Sequence, residues 1–223
     1  MIAVVTSAHF SFFSWLRARH NRAVADIYKH RRLRRAQYLD CIQKLLAYQR
    51  HFSQLYLLEC SGQRVPRYLR KEQGLIYATA ENRADSPNKG VKEFVNIANF
   101  LRTTGIPSHE RVFKLTGRYL LLSDAFLEYS SRSAGDVVAK RDDDLWGTSG
   151  KGVHTFMFSC RAGIITSFAD WLLEGDRRIG IGTTPIEWIF LEYLTAEGIA
   201  VDFYNEKMFL QVNYAPPAKA MFV

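Results

Sequence analysis

Cysteine is scarce in this chain of 223 residues: Cys41, Cys60 and Cys160 stand far apart, with no C-x-x-C pair. That excludes a disulfide framework and a zinc knuckle, and it predicts buried, reduced thiols. Long apolar runs are missing as well. The run at residues 1–5 is cut by Thr6 and Ser7, and the run at 10–16 contains two serines. A membrane-spanning helix needs about 18 apolar residues in a row. Basic residues follow Leu16 rather than precede Ile2, which is the wrong order for a signal peptide. These features predict a cytoplasmic protein. With 6 prolines and 14 glycines among 48% hydrophobic residues, collagen-like and disordered classes are excluded. Phosphate-loop signatures are absent. There is no G-x-x-x-x-G-K-[ST], and no G-x-G-x-x-G follows the first strand. Gly180-Ile181-Gly182 is too late and too short to serve.

Charge of one sign is confined to one place. Of the net +8, +7 falls within residues 17–35, where Arg17, Arg19, Arg22, Lys29, Arg31, Arg32, Arg34 and Arg35 face a single acid, Asp26. Such a segment is either a solvated helix face or a contact for a phosphorylated ligand or an anionic membrane. Nucleic-acid binding through 17–35 is the rival from another class. No helix-turn-helix, RRM or zinc pattern accompanies the charge, which argues against it.

Periodicity gives the organisation. Residues 2–6, 55–60, 75–79 and 111–115 read as buried strands. Leu39, Ile42, Leu45 and Leu46 mark a helix to about residue 51 that starts inside the basic segment, and a second helix spans 91–103. Continuous apolar strands interleaved with helices predict a mostly parallel α/β sheet with helices on both faces. Further on, 136–140 and 153–160 read as strands, 141–152 as a loop, and 164–173 as a helix. Thr184, Pro185 and Glu187 read as N-cap, N1 and N3 of a helix running to about 196. Short strands are predicted at 201–204 and 209–212.

In open α/β sheets ligands sit beyond the carboxyl ends of the strands. Polar clusters fall there at Thr6-Ser7, Glu59-Cys60-Ser61-Gly62, residues 82–90 and Thr116-Gly117-Arg118-Tyr119. The 82–90 loop runs into a helix N-terminus, whose free N–H groups and dipole suit a phosphate. Lys89 and Arg118 are placed to add charge-assisted contacts to a diphosphate. Lys114 interrupts an apolar strand, which marks either an exposed strand face or a functional cation. Asp142, Asp143 and Asp144 have the chemistry for a hard cation or for a solvated loop. Asp85 and Asp124 are single alternatives. His154 reads as a packed or exposed histidine, with catalysis as the lesser alternative, and Trp146 is a candidate to stack on a sugar face.

Asn88-Lys89-Gly90 before a helix, followed by Phe113-Lys114-Leu115-Thr116-Gly117-Arg118-Tyr119, resembles glycosyltransferase-like proteins of surface-polysaccharide clusters and large viruses. The resemblance covers about residues 1–130. It implies a GT-A-like fold and transfer of a sugar from a nucleotide-sugar donor to a glycan or lipid-linked acceptor. It also implies one domain over 1–223, with 1–130 as the nucleotide-sugar half and 131–223 as the acceptor side. Thr6 and Ser7 would lie near the base. Asn88, Lys89, Gly90, Lys114, Gly117, Arg118 and Tyr119 would lie along the diphosphate and donor sugar. Glu187 is then either half of a capping box or the base that deprotonates the acceptor hydroxyl. The family's Asp-x-Asp is replaced by Thr116-Gly117-Arg118. Mn²⁺ or Mg²⁺ would therefore fall to Asp142 and Asp144, or Arg118 would neutralise the leaving group instead. An inactive scaffold with the same fold is the third reading.

Overall fold

The computed structural model describes residues 1–7, 24–60, 73–80, 86, 88–142, 151–174, 184–212 and 221–222. Strand β1 (Ile2–Ser7) is buried at every position, so it needs a neighbour on each side. It pairs in parallel with β2 (Gln54–Glu59) and with β4 (Arg111–Thr116), and β2 pairs in parallel with β3 (Ile76–Thr79). Beyond β4 lie β7 (Met157–Arg161), β6 (Val137–Ala139) and β8 (Val201–Phe203), giving the order β3-β2-β1-β4-β7-β6-β8. Only β7 runs against the rest. The sheet is therefore mostly parallel, and the chain reverses its direction of winding between β1 and β4. That point leaves a crevice at the carboxyl edge.

Alternation along the strands feeds two cores. Ile2, Val4, Val112, Phe158 and Cys160 face α2 (Lys89–Thr103), α4 (Ala162–Leu173) and α5 (Ile186–Ala196). There Phe94 stacks on Phe158 at 5.7 Å and meets Phe168 edge-on at 4.9 Å, with Phe190 at 5.1 Å. On the other face Ala3, Val5, Phe113 and Leu115 pack on Tyr38, Cys41, Ile42 and Leu45 of α1 (Val24–Ala47). Phe126 and Leu127 of α3 (Ala125–Arg132) complete that layer. A small sheet of β5 (Leu120–Leu121), β9 (Leu210–Val212) and β10 (Met221–Phe222) edges the same side. All three cysteines are free, and no helix among the described residues is long and apolar enough to cross a membrane.

The predicted α/β sheet with helices on both faces is the observed one. Three details differ. The strand expected at 153–160 begins only at Met157, because Val153 is drawn into a bridge with Arg141. The segments β5, α3 and β10 had no sequence signal: each is two to eight residues long, too short for a period to register. The capping box at α5 is corrected. Pro185 is the N-cap and no side chain caps the helix, so Glu187 is released from that task.

A 3-10 turn at Gln49–His51 is tied to α3 by charge: Arg50 meets Asp124 Oδ2 at 2.5 Å, and His51 Nε2 lies 2.9 Å from the same oxygen. The His51 hydrogen bond is the largest cause holding the Asp124 carboxyl below its usual value of 3.8, with Arg50 adding and burial opposing. A depressed folded-state pKa stabilises above the unfolded value and is lost as pH falls through the folded one. Asp124→Asn is therefore expected to cost about 1 kcal/mol at pH 7 in urea unfolding. The gap to the wild type should close as pH falls below 3.8.

Candidate active site

Lys114 sits on β4 in the row of Val112 and Thr116, on the face covered by α2 and α5. It is 1% exposed, so the exposed-face reading is overturned. A buried ammonium needs an acceptor for every N–H. The fold supplies three: the Thr155 carbonyl at 2.6 Å, Thr116 Oγ1 at 3.0 Å and Glu93 Oε1 at 3.0 Å. The same Glu93 oxygen accepts the Thr6 hydroxyl. One ammonium thus binds β4, the lead into β7 and the first turns of α2, and through Glu93 it reaches β1.

Around this core lies a cavity of about 410 Å³, lined by Lys89, Gly90, Glu93, Lys114, Thr116, Arg118, Tyr119, Asp142, Thr155, Phe156, Pro185, Ile186 and Glu187. That size suits a small-molecule ligand. Every contributing element brings its carboxyl-edge end. α2 opens here because Asn88 caps it, its Oδ1 accepting from Gly90 N–H at 2.9 Å and Val91 N–H at 3.4 Å. Asn88 Nδ2 then donates to the Thr184 carbonyl at 3.0 Å, pinning the start of α5 to the start of α2. Gly90 permits that approach: a Cβ there would stand 2.5 Å from Ile186 Cγ2. Gly117 does the same between β4 and β1, where a Cβ would lie 2.8 Å from the Thr6 carbonyl oxygen.

Of the residues singled out in the sequence, the structure brings Lys89, Gly90, Lys114, Arg118, Tyr119, Asp142 and Glu187 to one cavity. The Arg118 guanidinium lies over the Tyr119 ring, 5.3 Å from its centre. Thr6, Ser7, Asn88 and Gly117 stand behind the lining. Thr6 turns to Glu93, and Ser7 Oγ donates to the buried Glu59 carboxylate at 2.6 Å. Asp85, Asp144, Trp146 and Gly180-Ile181-Gly182 lie outside the described residues. Two polar lining residues had no signal in the sequence. Glu93 looks like an ordinary helix-surface acid four residues after Lys89. Thr155 looks like one polar residue in an alternating strand. Thr155 joins β4 to α5: its carbonyl takes Lys114, and its hydroxyl donates to Glu187 Oε1 at 2.8 Å.

Asp142 and His154 are both 1% exposed, with Oδ1 and Nδ1 3.8 Å apart, and the His154 ring packs on Phe156. Burial raises the Cys60 thiol well above its usual range, and Glu93 adds to that, so the thiol beside the site stays protonated. Glu93 is engaged by a lysine and a threonine, Glu187 by Thr155, and among the described residues no three His, Cys, Asp or Glu ligand atoms converge in the cavity. The one group of three that converges among the described residues is His51, Asp124 and Glu128, which does not line the cavity and already holds the Arg50 guanidinium. Of the two aspartates expected to hold a cation, Asp142 lines the cavity and Asp144 lies outside the described residues.

Comparison with known proteins adds the fold. No protein-family profile matches the sequence, and no curated protein does. Among solved structures, a nucleoside-diphosphate-sugar pyrophosphorylase from Vibrio cholerae superposes with a TM-score of 0.55 at 10% identity, over 92% of this chain and 91% of that one. A glycosyltransferase involved in glycosylation of the major capsid of PBCV-1 gives 0.47 at 11% identity, over 91% and 81%. The glycosyltransferase GlyE of Streptococcus pneumoniae gives 0.48 at 11% identity, over 90% and 44%. At 10% identity the likeness to the pyrophosphorylase shows a shared α/β fold and nothing finer.

Lys114→Met deletes a buried cation and strands Glu93 and the Thr155 carbonyl. It should cost about 3 kcal/mol in urea unfolding. Glu93→Gln should cost less, because that carboxylate is 25% exposed. In the double variant the two losses should fall short of additive by about 1 kcal/mol or more.

Proposed function

We propose that the chain is a glycosyltransferase that moves a sugar from a nucleotide-sugar donor to a hydroxyl of a glycan or lipid-linked acceptor. The observation that carries this reading is the presence in one cavity, at the sheet's switch point, of the N-terminus of α2, Lys89 and Arg118 together with the Glu187 carboxylate on α5. The helix N-terminus and the two cations suit a diphosphate, through dipole, free N–H groups and charge. The carboxylate suits proton removal.

In the proposed step the acceptor oxygen attacks the anomeric carbon, and the bond from that carbon to the diphosphate oxygen breaks. The acceptor proton passes to the Glu187 carboxylate. The nucleoside diphosphate leaves with its charge held by Arg118, Lys89 and the helix N-terminus, an electrostatic role open to cations without a metal. Lys114 acts through others: it holds Thr155, and the Thr155 hydroxyl fixes the Glu187 carboxylate. Tyr119 supports Arg118 from below. The basic segment 17–35 would face a lipid-phosphate acceptor or an anionic membrane on the cytoplasmic side.

A second reading is favoured by the superposition on the pyrophosphorylase, which scores higher than those on the glycosyltransferases. In nucleotidyl transfer a sugar phosphate oxygen would attack the α-phosphorus of a nucleoside triphosphate, the α–β bridge would break, and pyrophosphate would leave. The same cations serve it, but Glu187 has no proton to take from a phosphate dianion. One assay separates the two. Purified protein is given nucleotide-sugars with glycan acceptors, and separately nucleoside triphosphates with sugar 1-phosphates. Release of nucleoside diphosphate supports the first reading and release of pyrophosphate the second. Glycosyl transfer requires Glu187→Gln to lower kcat by about 10²–10⁴ with donor affinity kept. A kcat within a few-fold of wild type would remove Glu187 from the mechanism.

A further inference from the structure

The sheet face turned away from Lys114 carries a second cavity, of about 590 Å³, which shares no lining residue with the first among the described residues. The edge strand places it. Asp202 on β8 pairs with Val138, which packs in the core under α1 and α3, so Asp202 and, two residues on, Tyr204 belong to that same face. One side of α3 covers them: Ala125, Glu128, Tyr129 and Arg132 recur at three and four and line the cavity. Gly135 lets the chain after α3 close on β8, since a Cβ there would stand 2.9 Å from Asp202 Cβ.

The lining is held in place before any ligand arrives. Asp202 Oδ1 accepts the Tyr129 hydroxyl at 2.5 Å, and Oδ2 accepts the Ser133 hydroxyl at 2.6 Å. Those two bonds, Ser133 first, hold the Asp202 carboxyl below its usual range, so it is ionised. The Tyr204 ring meets Tyr129 edge-on at 5.2 Å and Phe126 edge-on at 5.3 Å. Its hydroxyl is buried and lacks a hydrogen bond of normal geometry among the described residues, and the carboxylate acting on it is Glu206. A buried hydroxyl in that state, on a residue that lines a cavity, has hydrogen-bonding capacity left for a ligand.

Charge selects the class of ligand. Glu128, Asp202 and Glu206 stand against the Arg132 guanidinium, a balance that repels phosphate. A cation is poorly served too. Glu128 lies 3.7 Å from Arg50 and 3.9 Å from Arg132, and Asp202 is engaged by two hydroxyls. What remains is fixed carboxylate oxygens with lone pairs to spare, a guanidinium and a phenol as donors, and two aromatic rings. A sugar hydroxyl donates and accepts at once, and the C–H face of a sugar ring packs on an aromatic ring.

We infer that this cavity is a second ligand site, taking a neutral, hydroxyl-rich sugar with Tyr129 against its ring and Asp202, Arg132 and Tyr204 on its hydroxyls. The inference goes beyond the transfer reaction and does not rest on it, because a sugar here is held and no bond is made or broken. Saturation-transfer NMR titrations with maltose, lactose and cellobiose test it on the wild type, Tyr129→Ala, Ala134→Trp and Glu187→Gln. Ala134 is exposed and lines the cavity, so a tryptophan there fills the space without entering the core. At least one of the three sugars should bind the wild type, and should bind Tyr129→Ala and Ala134→Trp about tenfold or more weakly. Glu187→Gln should bind it as the wild type does. Should Tyr129→Ala fail to fold, Ala134→Trp carries the test.

Affinity within about twofold of wild type in folded Ala134→Trp would overturn the site. So would failure of all three sugars to bind the wild type, or tetramethylammonium binding at Tyr129 more tightly than any of them. If Glu187→Gln loses the sugar and Ala134→Trp keeps it, the sugar sits in the first cavity: the second site falls and the glycosyltransferase reading gains. If Ala134→Trp loses the sugar while the wild type turns over no nucleotide-sugar, the second site stands and the glycosyltransferase reading falls.

Discussion

The ammonium of Lys114 lies inside a sheet face that is otherwise apolar, and the shape of the cavity follows from how that charge is satisfied. Water does not reach it, so its three N–H groups must be met by the protein. They are met by Thr116 on its own strand, by the Thr155 carbonyl at the lead into β7, and by Glu93 on α2. Each partner comes from a different part of the chain. The ammonium therefore fixes the distance between the helix that offers its N-terminus and the strand end that carries Thr155. Through the Thr155 hydroxyl the same constraint reaches Glu187. The start of α2 and the Glu187 carboxylate are thereby set by one buried ion.

The sheet supplies the place for this arrangement. Winding runs from β1 outward to β3, then returns across β1 to β4, and the crevice opens where the direction changes. Two glycines let the backbones close around it. Gly90 lets the starts of α2 and α5 touch, and Gly117 lets the turn after β4 lie on the end of β1. A side chain at either position would push apart the elements that define the cavity. The cost of holding charged groups at such an edge is carried by the aromatic packing of Phe94, Phe158, Phe168 and Phe190 beneath it.

Much of this was legible in the sequence, and for physical reasons. Buried parallel strands read as unbroken apolar runs, and Lys114 stood out because it broke one. Lys89 and Gly90 were visible as the opening of a helix after a polar loop, and Arg118 as a cation after a strand and a glycine. Glu93 and Thr155 were not legible. Their importance lies in partners at positions 114, 6 and 187, which only the sheet register brings near. Glu187 was placed at the right helix start but one position off in the cap, because Pro185 takes the N-cap itself. The short segments β5 and α3 lacked the length for any period to show.

On the proposed reading, the crevice at the carboxyl edge holds the diphosphate of a nucleotide. Thermal melting with UDP, GDP, dTDP and CDP, each with and without Mn²⁺, tests it most directly. A ligand at a hundredfold its dissociation constant stabilises a protein by about 2.7 kcal/mol. In a chain of this size that raises the midpoint by roughly 5–10 °C. The site predicts such a shift with at least one of the four, present without Mn²⁺ and lost in Arg118→Ala. Unchanged midpoints with all four at millimolar concentration would contradict it.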